Sequence, residues 1–155
     1  MSRILSMMAV VSALALGSCV TQQAALSDGF AWSYQNNEGE GPKLAYGAPS
    51  SDNIVLMMTC APGAQRVNLS LLGGSPDAGL VLTSGGSKAK FGGEPVVAPG
   101  AGHMIETEAH IASAPLARFE KTGNLTLEDR GRSVNLDAKG AERADVGRFF
   151  KACRA

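Results

Sequence analysis

Histidine and cysteine are scarce in this chain: two histidines and three cysteines among 155 residues. Neither His-Glu-x-x-His nor Cys-x-x-Cys occurs, which excludes the zinc-protease and dithiol redox chemistries that those spacings carry. A Gly-x-x-x-x-Gly-Lys-Ser/Thr string is missing, as is Gly-x-Gly-x-x-Gly, so the glycine pairs read as turns rather than phosphate cradles. No Gly-x-Ser-x-Gly elbow is present to raise a nucleophilic serine. Charge imbalance is lacking too, with 14 basic and 14 acidic residues and no basic block, which removes the electrostatic footprint of a nucleic-acid binder. The longest apolar run, residues 4–16, is about 13 residues, well short of the roughly 20 that a membrane-spanning helix requires.

That run is still the most informative stretch of the chain. A short basic start with Arg3 precedes it, and a small-residue site follows it, which is the order of a secretory signal. Leu16-Gly17-Ser18-Cys19 resembles the lipobox of bacterial lipoproteins. The resemblance implies cleavage before Cys19, acylation of its thiol, a signal peptide at 1–18 and a lipidated tether at 19–29. An ordinary secreted protein with a chance cysteine is the alternative. In enterobacterial-type sorting, similar lipoproteins with Asp after the cysteine stay in the inner membrane. Val20 stands there here, which implies the outer membrane, facing the periplasm.

The cysteine count agrees with this reading. Three is awkward for an exported chain, because one thiol must be left over. With Cys19 lipidated, Cys60 and Cys153 remain as the pair available to an oxidising compartment. Losing Arg3 leaves 13 basic against 14 acidic residues, and the mature length suits one domain with one core.

Residues 30–155 read as a single, mainly β domain, an antiparallel sandwich or open barrel, ending in one α-helix. The 19 glycines and 7 prolines favour many turns and short elements. Phe30, Trp32 and Tyr34 alternate with small residues, so their rings share one strand face, a core strand rather than a ligand platform. Residues 53–60 are almost continuously apolar and suit a central strand covered on both faces. Met57 and Met58 suggest a copper pair only until strand geometry points them to opposite faces. Val67, Leu69 and Leu71 alternate with Arg66, Asn68 and Ser70, giving a second strand and a hairpin. Short strands are expected at 80–83, 89–92 and 95–98, a two-faced strand at 103–111, and a hairpin from 125–128 to 132–136. Residues 112–115 read as a break, 118–121 as mixed and 122–124 as a turn. The period then changes. Val146, Phe149, Phe150 and Cys153 fall at i, i+3, i+4 and i+7, one face of a helix at about 141–153. Strands followed by a strand–glycine–helix–cysteine ending at 132–153 resemble small exported α-proteobacterial proteins of the invasion-associated-locus-B kind.

One cluster invites a chemical reading. Glu106, Glu108 and His110 project from one face of the two-faced strand, and neighbours along it lie about 6.5–7 Å apart. They are candidate metal ligands if His103 or Asp129 joins them, and a solvated strand face otherwise. Neither a catalytic residue nor a cofactor is assigned. The expected role is a lipid-anchored envelope protein that binds a partner or supports structure. A metal-dependent hydrolase on the Glu106–His110 face and an inhibitor of a periplasmic hydrolase are the alternatives. The expected partners are the membrane, through the anchor, and an envelope protein, not nucleic acid.

Overall fold

The computed structural model describes residues 29–74, 79–98, 102–129 and 131–155. The expected signal peptide, Cys19 and nearly all of the expected tether therefore lie outside the described residues. Ten strands and two helices are described: β1 (Ala31–Asn37), β2 (Gly41–Gly47), β3 (Ile54–Thr59), β4 (Arg66–Leu72), β5 (Leu80–Ser84), β6 (Ser87–Phe91), β7 (Glu94–Ala98), β8 (Gly102–His110), α1 (Ala114–Thr122), β9 (Thr126–Asp129), β10 (Arg132–Asn135) and α2 (Glu142–Arg154).

The strands form two antiparallel sheets. Six make one, in the order β1-β2-β3-β4-β8-β7, and four make the other, in the order β10-β9-β5-β6. Each sheet has two edges, so neither closes into a barrel. The alternation seen in the sequence sets the inward face. Trp32, Leu44, Leu56, Met58, Val67, Leu69, Leu71 and Ile105 are all at most 2% exposed. Register pairs Leu44 with Met58 and Met58 with Leu69, so one apolar row crosses three strands. Leu80, Leu82 and Leu127 supply the inward face of the smaller sheet.

A chain of rings ties the layers together. Trp32 lies 5.3 Å from Tyr46 and 5.0 Å from Phe119 of α1, and Phe119 lies 6.2 Å from Phe150 of α2. The Trp32 indole N–H donates to the Leu136 carbonyl at 2.6 Å, so the buried ring leaves no orphan donor. One hydrophobic cluster takes in both sheets and both helices.

Two features differ from the sequence reading. The chain has a second helix, α1, where a break and a mixed stretch were expected. Pro115 sits in its first turn, and Gly123 closes it at φ 74° with its N–H on the Phe119 carbonyl. Those are helix start and stop residues, but Leu116 and Phe119 alone are too few to set a period. The second difference is β3. Leu56 and Met58 are fully buried, while Val55 and Met57 are only half-buried, so its outer face is partly open.

Candidate functional site

The outer face of the six-stranded sheet follows from strand register. Ser33, Ala45, Met57 and Ser70 form one row across β1 to β4, continued by Glu106 on β8 and Glu94 on β7. Ala31, Gly47 and Ile54 form the row beside it. Four of these residues, Ala31, Ser33, Ala45 and Gly47, are small and adjoining, so the face has little side-chain bulk over β1 and β2. A cleft of 490 Å³ lies there, lined also by loop residues 48–52.

The loop is locally tied. The Ala48 N–H donates to the Asn53 carbonyl at 2.9 Å, and the Asn53 N–H to Ser51 Oγ at 3.0 Å. Ser50 takes a left-handed φ of 56°, uncommon for a residue with a Cβ. Gly47 is required for contact rather than for φ. A Cβ there would lie 2.4 Å from the Asn53 carbonyl oxygen. Gln35, Lys43, Ser50 and Asp52 give the cleft neutral and charged polar groups over an apolar floor. Such a mixture can orient a ligand by a few hydrogen bonds while burying apolar surface.

A smaller recess of 200 Å³ lies where the residue before β1, β2, the end of β10 and the start of α2 meet, between Phe30, Tyr46, Asp137 and Glu142. Its carboxylates serve the backbone. One Glu142 oxygen accepts from the Trp32 and Lys139 N–H groups, each at 3.3 Å. Asp137 accepts from the Leu125 N–H at 3.0 Å. Burial pushes the Tyr46 phenol above its usual range, and the neighbouring Glu142 and Asp137 charges add to this.

Glu106, Glu108 and His110 do share the outer face of β8, and all three are exposed. They form no ligand set. Glu108 pairs with Arg66 at 3.3 Å, with both side chains about 60% exposed, and His110 Nδ1 accepts from the Ala112 N–H at 3.1 Å. The two residues expected to complete a site are elsewhere: His103 is exposed on the opposite face of β8, and Asp129 belongs to the other sheet. No three His, Cys, Asp or Glu residues come together as a metal site among the described residues.

Cys60 and Cys153 are bonded, with Cα atoms 5.7 Å apart, linking the residue after β3 to the last turn of α2. The cleft itself was not foreseen. Its signal, small residues alternating at Ala31-x-Ser33 and Ala45-x-Gly47, acquires meaning only once register sets the two strands side by side. Comparison with protein-family models, curated proteins and solved structures finds no match to this chain.

Proposed function

We propose that this chain is a lipid-anchored cell-envelope protein, held through Cys19 on the periplasmic side of the outer membrane, with a binding or structural role. The observation that carries the reading is Leu16-Gly17-Ser18-Cys19 at the end of the apolar run. The Cys60–Cys153 bond supports it, because it leaves Cys19 as the one cysteine free to take a thioether. Residues 19–29 extend at most about 35–40 Å, at up to 3.6 Å per residue, so the domain stays close to the bilayer. The cleft includes Ala31, two residues after that tether, and its mixed polar and apolar lining favours binding over pure scaffolding.

The test uses the full chain expressed in a Gram-negative host with labelled palmitate. The parent is expected to be processed, labelled and recovered with the outer membrane. Cys19→Ala is expected to persist as an unlabelled precursor. Normal processing and labelling of that variant would end the proposal.

A further inference from the structure

The two edges of the six-stranded sheet are treated differently. At β1, α2 packs against the strand and its neighbour β2, Glu142 takes the Trp32 N–H, and Arg148 sits 5.6 Å over the Tyr34 ring. On β7, the substantial contacts among the described elements are with β8 alone. The exposed large apolar side chains among the described residues are both on this strand: Val96 at 36% and Val97 at 73%.

Hydrogen-bond direction on β7 can be worked out from β8. The His103 carbonyl accepts from the Gly73 N–H, and the Ile111 N–H donates to Gln65, so odd-numbered residues of this segment bond toward the β4 side. Even-numbered Met104 and Glu106 therefore bond β7, opposite Val96 and Glu94. Pro95 and Val97 are left with their backbone groups turned outward. Proline, lacking an N–H, is tolerated in a strand in this orientation. The edge thus offers the Pro95 carbonyl, the Val97 N–H and the Val97 carbonyl.

Beside this edge the outer face carries an unbalanced charge. Glu94 and Glu106 stand directly opposite each other, both exposed, with no ion-pair or hydrogen-bond partner among the described residues. Like charges in directly opposed positions destabilise a strand pair. A basic side chain on a strand added to β7 would meet Glu94 from the free side and relieve the pair.

We infer that β7 is an augmentation edge for an extended segment of another protein, antiparallel to β7, with an apolar residue opposite Val97 and Lys or Arg three positions later, opposite Glu94. Backbone bonds to Val97 and Pro95 hold the segment, Val97 gains an apolar neighbour, and the basic residue sets register. This inference rests on the binding role proposed above and is independent of the anchor. A partner lost through failed lipidation and a partner lost through a blocked edge are separable, because only the second is read in detergent.

The probe is a blocked octapeptide of threonine with valine at its third position and lysine at its sixth, titrated into the full chain in detergent at low salt. The expected result is protection of the Val97 amide from exchange, and affinity at least ten-fold above that of the same peptide with glutamate for lysine. Glu94→Lys should reverse this preference. Val97→Pro removes an outward N–H without touching the β8 ladder, so it should abolish binding with the melting temperature unchanged. No protection of Val97 by the lysine peptide, or equal binding by Val97→Pro, would overturn the inference. So would concentration-dependent dimerisation of the parent that Val97→Pro removes, because the edge would then belong to a second copy.

Discussion

The Glu142 carboxylate accepts the backbone N–H of Trp32 at 3.3 Å, joining residues 110 apart in the chain. The same oxygen takes the Lys139 N–H just before α2, so one side chain serves both the start of a helix and the edge of a sheet. Without it, a partly buried edge donor would face no acceptor. Helix α2 is held at this end by hydrogen bonds and along its length by Val146, Phe149 and Phe150, each at most 1% exposed.

Glu142→Ala is therefore expected to cost about 1–3 kcal/mol, the range for leaving a buried donor unsatisfied. Glu142→Gln keeps an acceptor oxygen and should recover most of that loss. Urea unfolding of the three proteins checks this. Equal loss in both variants would show that the charge matters and the hydrogen bond does not.

The disulfide fastens the opposite end of the same helix. It closes a loop of 93 residues, for which the chain-entropy model gives roughly 4–5 kcal/mol as an upper figure. Cys153→Ser is expected to lose a few kcal/mol and to melt earlier, while α2 stays docked through its buried aromatic residues. Thiol titration of the denatured, unreduced parent should find neither Cys60 nor Cys153 free. Two free thiols there would refute the pairing in solution.

Period and composition made most of this fold legible. Alternation in residues 66–72 placed Val67, Leu69 and Leu71 inward, and the 3.6-residue spacing at Val146, Phe149, Phe150 and Cys153 gave α2 its buried face. The disulfide came from parity alone. Helix α1 was hidden because nine residues with two large apolar side chains carry too little periodicity, so Pro115 passed for a strand break. The cleft was hidden for another reason. It is made by absent side-chain volume on neighbouring strands, and only register shows which small residues adjoin. The Glu106–Glu108–His110 face was legible as a face, but the Arg66 partner of Glu108 comes from β4, 42 residues away.

Two glycines should respond to alanine with opposite signs. At Gly47 a Cβ would sit 2.4 Å from the Asn53 oxygen and 2.9 Å from the Ile54 Cα, both backbone atoms. The Asn53–Ile54 backbone must shift, which is expected to cost about 1–3 kcal/mol. At Gly147, inside α2, nothing lies within 4 Å of the added methyl. Alanine there removes unfolded-state freedom and should stabilise by about 0.4–1 kcal/mol. Melting temperatures moving in the same direction for both variants would contradict the geometry.

On the outer face, Glu108→Ala removes an exposed pair with Arg66 and should cost no more than about 0.2–1 kcal/mol. Glu106→Ala removes a like-charge neighbour of Glu94 and should be neutral or slightly stabilising. The double variant is expected to melt within a few degrees of the parent, with and without chelator. Stoichiometric zinc in the purified parent, lost in the double variant, would restore the hydrolase reading.

Glu128 offers a pH test with a definite sign. Lys88 donates to one of its oxygens at 2.6 Å and Thr83 to the other at 3.3 Å, so the carboxylate bridges β6, β5 and β9. The Lys88 hydrogen bond is the largest influence and holds the Glu128 carboxyl below its usual 4.5, with burial opposing in part. A depressed folded-state pKa means stability that is fully present above the unfolded value and lost as pH falls through the folded one. Lys88→Ala should therefore be less stable than the parent at pH 7, by a margin that shrinks with added salt because the pair is exposed. Below pH 4.5 the margin should shrink again as Glu128 takes up its proton, and it should be smallest at the lowest pH measured. Urea midpoints of the two proteins at pH 7, 5, 4 and 3 measure this directly. A gap that stays constant across that range would mean that Lys88 acts through packing, not through Glu128.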